Sequence, residues 1–109
     1  MTIKLFISYR KKTSEPVAKN LDDLWAYYRD QLNPWRDQLG MSAGDNWSDE
    51  IVEHLTKSDV FVLLVAKGTQ ESEWVRRELA IAQGLRIAVL PIVHGFRTND
   101  DMVAELKAL

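Results

Sequence analysis

The sequence predicts an α/β fold: a doubly wound parallel sheet of four to five strands with helices on both faces. Strand-like and helix-like segments alternate along the 109 residues, as they do in sheets whose strands are joined by crossover helices. The strand-like segments are short, near-continuous apolar runs, which is typical of strands buried on both faces. With 46% hydrophobic and 28% charged residues, the composition is that of one globular domain.

The first third of the chain reads as a strand, a helix and a second, weaker strand. Ile3 to Tyr9 (IKLFISY) is a short apolar run that suits a buried strand. In the helix that follows, we expect Ser14 to be the N-cap and Pro16 to occupy the first turn. The apolar side chains of this helix recur at helical spacing: Val17, Leu21, Leu24, Tyr28 and Leu32. Pro34 limits the segment from Leu32 to Leu39 to a short or edge strand.

The middle of the chain contains a loop, a helix and the clearest strand. Gln38 to Asn46 (QLGMSAGDN) contains two glycines and reads as a loop. The helix after it, with Asp45 or Asn46 as its cap, has one apolar side: Trp47, Ile51, Val52 and Leu55. Val60 to Ala66 (VFVLLVA) is the strongest prediction of a central strand.

The last third adds a helix, a strand and a final helix. Ser72 to Leu85 (SEWVRRELAIAQGL) predicts a helix, with Gly84 near its end. Ile87 to Val93 (IAVLPIV) is another apolar run, and we expect it to be a buried strand. Asn99 to Leu109 is expected to form a final helix whose apolar residues share one side: Met102, Val103 and Leu106.

A lone carboxylate, that of Glu78, lies in the apolar face of the predicted helix from Ser72 to Leu85. At about 100° per residue, apolar side chains share an arc of roughly 160° around it: Trp74, Val75, Leu79, Ile81, Ala82 and Leu85. Burying an unpaired carboxylate costs on the order of several kcal/mol. Helical spacing alone leaves two explanations: a core-rim glutamate that reaches a cap or an arginine, or a carboxylate kept for chemistry.

The predicted sheet gives Glu78 a position, because parallel sheets bind ligands beyond the carboxyl ends of their strands. Three segments are expected to open onto that edge. They are the loop that begins Tyr9-Arg10-Lys11, the loop from Gln38 to Asn46, and the first turns of the Glu78 helix. Their convergence strengthens the functional explanation of Glu78 without excluding the structural one.

Charge and composition argue against several other kinds of site. The formal net charge is −2, whereas a nucleic-acid-binding domain usually has a basic excess. There are no cysteines, and His54 and His94 have no companion at ligand spacing, so we expect no metal site and no resident cofactor. No segment resembles a signal peptide or a membrane span, so we expect a cytoplasmic protein without a nucleic-acid or membrane partner. GxGxxG and P-loop patterns are absent, so a dinucleotide site here would differ from a Rossmann site.

Five motifs, in order, resemble those of the TIR (Toll/interleukin-1 receptor) domain family. Phe6 to Arg10 (FISYR) looks like the first box of the family, and Leu39 to Ile51 looks like its second loop running into the second helix. Ser58 to Val65 resembles its central strand, Ser72 to Ala82 its WxxxE segment, and Leu90 to Ile92 its fourth strand. The resemblance covers about residues 3 to 95 and implies a flavodoxin-like fold. The family usually continues into a fifth strand and helix. We therefore expect residues 1–109 to be a TIR domain that lacks them and belongs to a longer multidomain protein.

The resemblance implies a catalytic role for Glu78, which ends the WxxxE-like segment four positions after Trp74. Many bacterial and plant TIR domains, and one animal axonal representative, cleave NAD+ at the nicotinamide–ribose bond with that glutamate. Receptor and adaptor TIR domains instead serve as docking modules without catalysis, and many of them lack a glutamate there. Its presence here favours an NAD+ nucleosidase, a hydrolase of the bacterial NAD+-cleaving type for which NAD+ is the substrate.

The resemblance also implies a set of substrate-contacting residues, several of which have a structural alternative. Arg10 and Lys11 follow the first strand, where the family places phosphate- or adenine-facing residues, or they are exposed loop charges. The hydroxyl of Ser8 contacts substrate or satisfies local backbone. Trp35 and Trp47 are able to stack on a nicotinamide or adenine ring. The other candidates are Tyr9 of the first box, Gly44 of the second loop and Trp74 of the WxxxE segment. For the last two tryptophans, Trp47 and Trp74, packing inside the fold is the alternative.

Two function classes follow from the resemblance. The first is an NAD+ glycohydrolase or cyclase that yields ADP-ribose or a cyclic ADP-ribose isomer and acts in bacterial immunity, for example in antiphage defence. In the family, TIR domains self-associate so that the second loop of one, here Gln38 to Asn46, reaches the next, and a fused or partner sensor domain supplies the signal. The second class is a TIR–TIR signalling scaffold without turnover, including a bacterial mimic that interferes with host signalling. A nucleoside-deoxyribosyltransferase-like enzyme, which has a related sheet and a catalytic glutamate, is a third alternative.

Overall fold

The protein contains a parallel sheet, seen in a computed structural model that describes residues 2–36 and 49–109. The four strands in these residues are β1 (Ile3–Ser8), β2 (Leu32–Arg36), β3 (Val60–Val65) and β4 (Ala88–Val93). They lie in the order β2-β1-β3-β4, and each neighbouring pair is parallel. The predicted α/β fold with a parallel sheet is confirmed.

Helices connect the strands and cover both faces of the sheet. Those in the described part of the chain are α1 (Lys11–Ala26), α2 (Asp49–Lys57), α3 (Glu73–Gly84) and α4 (Asn99–Ala108), with a short 3₁₀ helix at Thr69–Glu71 before α3. α1 packs on one face of the sheet, and α2 and α3 pack on the other. The sheet is therefore doubly wound, as predicted. Within residues 2–36 and 49–109, no helix has both the length and the apolar character needed to cross a membrane.

Two hydrophobic layers hold the helices on the sheet. The layer under α2 and α3 is built around these buried residues: Phe6, Ile51, Leu55, Phe61, Leu63, Val65, Val75 and Leu79. The layer under α1 contains Leu5, Ile7, Tyr9, Ala18, Val62 and Leu64. Because successive strand residues point to opposite faces, Ser8 shares the face of Phe6, and Tyr9 shares the face of Ile7.

The strand order reverses between the two central strands, with β2 beside β1 and β4 beside β3. Ser8, the last residue of β1, is in register with Leu63 of β3. The carboxyl ends of β1 and β3 therefore lie side by side at the point where ligands bind in sheets of this kind.

α1 begins earlier than the sequence predicts, and the prediction that Ser14 caps it is wrong. The helix begins at Lys11, and Arg10 is the N-cap residue. The Ser14 N–H donates a 2.9 Å hydrogen bond to the Arg10 carbonyl, which closes the first helical turn. Ser14 is fully buried inside the helix. Pro16 is consequently the sixth helical residue rather than a first-turn residue.

The apolar stripe of α1 is also shorter than predicted. Val17 and Leu21 pack toward the sheet, but Leu24 is 51% exposed. Tyr28 lies beyond the end of the helix and is also exposed. Helical spacing identified the correct face but did not show that the helix ends at Ala26, so that Leu32 belongs to β2 instead.

The two edge strands differ in how well they were predicted. β2 is an edge strand of five residues that contains Pro34, as predicted. The expectation that β4 is buried is wrong: Val89, Leu90 and Val93 are between 37% and 51% exposed. The physical reason is that β4 pairs with β3 on one side and forms an edge of the described sheet. An apolar run therefore does not by itself show that a strand is central.

α2 begins at Asp49 and buries Ile51 and Leu55, as its predicted apolar face requires, while Val52 is exposed. The predicted loop from Gln38 to Asn46, with Gly44 and the proposed caps, lies outside the described residues, and so does Trp47.

Candidate functional site

Glu78 lies on the buried face of α3, as its position among apolar residues predicts. The glutamate is 3% exposed, and the buried residues of the helix surround it: Trp74, Val75, Leu79 and Ala82. The Ser72 side chain accepts a 3.2 Å hydrogen bond from the Val75 N–H and begins the helix as its N-cap. Leu85, which was expected on the same face, is 45% exposed because the helix ends one residue before it.

The hydroxyl of Ser8 is a hydrogen-bond partner of this carboxylate. Its Oγ donates to Glu78 Oε1 at 2.7 Å, and the serine is 1% exposed. The pair joins the carboxyl end of β1 to the second turn of α3, although 70 positions separate the two residues in the sequence. A buried carboxylate is thereby held in a fixed orientation at the topological switch point.

Arg10 connects the loop after β1 to the loop after β3. Its Nη1 donates to the Gly68 carbonyl at 3.1 Å and lies 3.4 Å from Glu71 Oε2. Gly68 has a φ of 94°, and a Cβ at this position would lie 2.6 Å from Arg10 Nη1. The left-handed backbone favours glycine here, and a side chain at this position would displace the guanidinium of Arg10. The contact joins one of the three segments expected at this edge, the one after β1, to the loop after β3, which was not among them.

Tyr9 points to the opposite face of the sheet, into a polar cluster with α1 and the end of β2. Its hydroxyl donates to Glu15 Oε2 at 2.7 Å and accepts from Arg36 Nη1 at 2.6 Å. Arg36 also donates two hydrogen bonds to Asp22 Oδ2, at 3.0 and 2.7 Å. Burial, followed by the hydrogen bond to Glu15, raises the pKa of Tyr9 to about 12. Its role in substrate binding stays a prediction, since the hydroxyl has a structural task here.

The stability of the fold is expected to decrease between about pH 10 and 12 because of Tyr9. The pKa is about 12 in the folded protein against an ordinary value of 10.0, so the stabilising contribution is complete below pH 10 and is lost as the pH rises to 12. The loss should be about 2–3 kcal/mol in the free energy of unfolding. Urea unfolding of wild type and Tyr9→Phe at a series of pH values measures it. An equal loss in the two proteins would contradict this prediction.

The remaining predicted site residues have different surroundings. Lys11 is the first residue of α1 rather than a loop residue. Trp74 is 8% exposed within the core layer under α3, which fits its structural alternative. The Trp35 ring lies 4.1 Å from the His54 ring and 5.1 Å from the Phe6 ring, centroid to centroid. Gly44 and Trp47 are outside the described residues, and the substrate contacts of all five stay predictions.

Two further polar contacts tie the loops at this edge to the fold, and the sequence did not indicate them. The carboxylate of Glu105 accepts hydrogen bonds from the N–H groups of Gly68 and Gln70. Ser14 Oγ lies 2.8 Å from His94 Nε2, just beyond β4, and burial lowers the pKa of that histidine. These partners are separated by 35 to 80 positions, so no local pattern could have revealed them.

The described part of the chain contains no group of three His, Asp or Glu residues placed to hold a metal ion. Among the described residues, this edge of the sheet holds the buried carboxylate of Glu78, the Ser8 hydroxyl that donates to it, and the guanidinium of Arg10 on the neighbouring loop.

Comparison with known proteins identifies the family. A model of the TIR domain matches residues 5–108, and no match was found among curated proteins. Eleven chains of solved structures match the fold. One is from the activated Roq1 resistosome directly recognising the pathogen effector XopQ, and the match is to its TIR domains. That match has a TM-score of 0.71 and 16% identity, and it covers 97% of this chain and 70% of the other.

At 16% identity the Roq1 match shows the fold alone. The family model, however, matches nearly the whole chain, from within β1 to the last residue of α4. The motifs around Ser8 and Glu78, which the structure brings into contact, both lie within the matched region. The chain therefore belongs to the TIR domain family.

Proposed function

We propose that this TIR domain cleaves NAD+ at the nicotinamide–ribose bond, with Glu78 as its catalytic carboxylate. The observation that carries the proposal is the buried contact of Glu78 with Ser8, 2.7 Å long, at the carboxyl end of the central strands. Keeping a carboxylate buried on the apolar face of a helix costs desolvation free energy. A carboxylate that is buried on an apolar face and oriented by a hydroxyl is better explained by chemistry.

The reaction needs no more than one carboxylate. As the N-glycosidic bond breaks, its electron pair moves to the nicotinamide nitrogen, which was cationic in NAD+, so the leaving group requires no proton. Positive charge develops on the ribose, and an oriented carboxylate stabilises an oxocarbenium-like transition state. Attack by water, which then loses a proton, gives ADP-ribose. Attack by the adenine of the same molecule gives a cyclic isomer.

We assign substrate-binding roles to the groups around this carboxylate. Ser8 orients Glu78, and ribose hydroxyls would contact the same carboxylate. Arg10 would meet the pyrophosphate, for which a guanidinium is a suitable partner. Its present partner Glu71 is 65% exposed, so the ion pair is weak and the substrate can replace it. Lys11, the first residue of α1, would add positive charge next to Arg10.

We further propose that activity depends on self-association. Roq1, whose TIR domains have the same fold, was solved as an assembled resistosome. An assembly that orders loops around the carboxyl edge would convert an idle site into an active one. In this proposal the domain works in the cytoplasm as a bacterial immune effector, for example against phage, under the control of a fused or partner sensor domain.

Release of nicotinamide from NAD+, followed by chromatography, tests the proposal. We expect little release from a verified monomer and strong release when the domain is held at high density on beads or by a fused oligomeriser. Turnover by the monomer that is independent of concentration would contradict the gating by assembly. No release from the folded protein under any crowding would contradict NAD+ cleavage. The remaining explanation would then be a TIR–TIR docking module without catalysis. Release of base from a deoxynucleoside instead would indicate the deoxyribosyltransferase-like alternative.

A further inference from the structure

Glu105 is a buried carboxylate on α4 that the proposed reaction does not use. It is 7% exposed. Its Oε1 accepts a hydrogen bond from the Gly68 N–H at 2.9 Å, and its Oε2 accepts one from the Gln70 N–H at 2.7 Å. Both carboxylate oxygens are thus directed at the backbone of the loop between β3 and α3. A carboxylate bonded to N–H groups is a strong, charge-assisted arrangement.

The two bonds enclose the carbonyl group that Arg10 contacts. The Gly68 N–H belongs to the peptide before this carbonyl, and the Gln70 N–H belongs to the peptide after it. The Gly68 carbonyl itself accepts from Arg10 Nη1 at 3.1 Å and from the Glu71 N–H at 3.0 Å. The Thr69 N–H, which belongs to the same peptide as this carbonyl, donates to the Ala66 carbonyl at 3.1 Å. Glu105 holds the peptides on either side and thereby contributes to the direction of this carbonyl.

Gly68 makes this loop sensitive to the loss of the two hydrogen bonds to Glu105. Its φ of 94° lies in the left-handed region, where glycine moves most freely. Loss of the two hydrogen bonds to Glu105 would leave the direction of this carbonyl to the bonds within the turn, from the Thr69 N–H to the Ala66 carbonyl and from the Glu71 N–H to Gly68, and would loosen its contact with Arg10. Arg10 lies two residues beyond Ser8, so a change in its guanidinium position is a change at the edge of the proposed active site.

We propose that Glu105 is a positioning residue, which holds the guanidinium of Arg10 at the carboxyl edge of the sheet through the backbone of residues 68–70. The catalytic consequence rests on the proposed function, in which Arg10 binds the pyrophosphate of NAD+. The structural part, in which Glu105 helps to hold Arg10 in place, does not depend on NAD+ cleavage.

The structural part is tested by nuclear magnetic resonance of the full chain. The Arg10 Nε–H signal and the Gly68 and Gln70 amide signals are followed in wild type, Glu105→Gln and Glu105→Ala. Glutamine keeps the length and one acceptor oxygen, so it provides a folded variant if alanine unfolds the protein. We expect the amide signals and the Arg10 signal to shift together in both variants. Asp100 is an exposed carboxylate on the same helix, and the control variant Asp100→Asn should leave all three signals unchanged. An unchanged Arg10 signal in a folded Glu105 variant would overturn the proposal.

The catalytic part is tested by a double-mutant cycle on NAD+ cleavage under crowding. Loss of a charged hydrogen bond to substrate should raise KM about tenfold in Arg10→Ala. Glu105→Gln should raise KM about threefold or more and leave kcat within about twofold, because it acts only through Arg10. The double variant should resemble Arg10→Ala alone. Effects that multiply, or a fall in kcat at constant KM, would overturn the positioning role. Failure of wild type to turn over would count against the proposed function and leave the resonance test to decide on Glu105.

Discussion

Replacing Glu78 by glutamine is expected to lower the rate of NAD+ cleavage by about a hundred- to thousandfold without weakening the fold. Glutamine has the shape of glutamate, and its side-chain oxygen can still accept the 2.7 Å hydrogen bond from Ser8. What it lacks is the negative charge that faces the developing positive charge on the ribose. Because the side chain is 3% exposed, removing that charge also removes a desolvation cost. The melting temperature should therefore change little while activity is lost.

The control for this substitution lies on the same helix. Glu73→Gln removes an exposed carboxylate that pairs with Arg77 one turn later, so it should change neither activity nor melting temperature by much. The measurement is nicotinamide release by both variants under the crowding that activates wild type, with a thermal melt of each. Full activity in Glu78→Gln would remove the basis of the proposed mechanism. A large fall in its melting temperature would show that the glutamate is a structural group.

The elements that could be predicted from the sequence are those with dense local signals. β1 and β3 are continuous apolar runs, and such runs have few alternatives to a buried strand. The position of Glu78 was also predictable, because helical geometry fixes which side chains surround it once α3 is recognised. Ser8 could be named as a candidate from the first TIR motif, although its contact with Glu78 spans 70 positions.

The features that escaped prediction depend on contacts between distant segments. Serine is a residue type that often caps helices, but the burial of Ser14 beside His94 depends on the end of β4, 80 positions later. The exposure of β4 depends on which strand lies at the edge, and apolar content does not report strand order. Glu105 resembles any glutamate of a surface helix until the loop at Gly68 is placed against it.

Replacing Phe6 by alanine is expected to have the largest effect on stability. Phe6 is fully buried between two aromatic rings, with centroid distances of 5.1 Å to Trp35 and 5.7 Å to Phe61. Removing the ring leaves a cavity that rigid strands on either side cannot close, at a cost of about 3–5 kcal/mol in the free energy of unfolding. A domain of this size has a total stability of about 5–15 kcal/mol. The variant should therefore unfold at a much lower urea concentration.

Two matched variants show whether the aromatic contact is responsible. Phe6→Leu fills most of the space and should lose less than half as much stability. Tyr27→Ala removes an aromatic ring that is 86% exposed and should change stability by no more than about 0.5 kcal/mol. A Phe6→Ala loss as small as that of Tyr27→Ala would contradict the packing described for β1. Because Ser8 follows on the same face of the strand, the cavity should also loosen its contact with Glu78. Activity and stability should then fall together in Phe6→Ala, whereas they separate in Glu78→Gln.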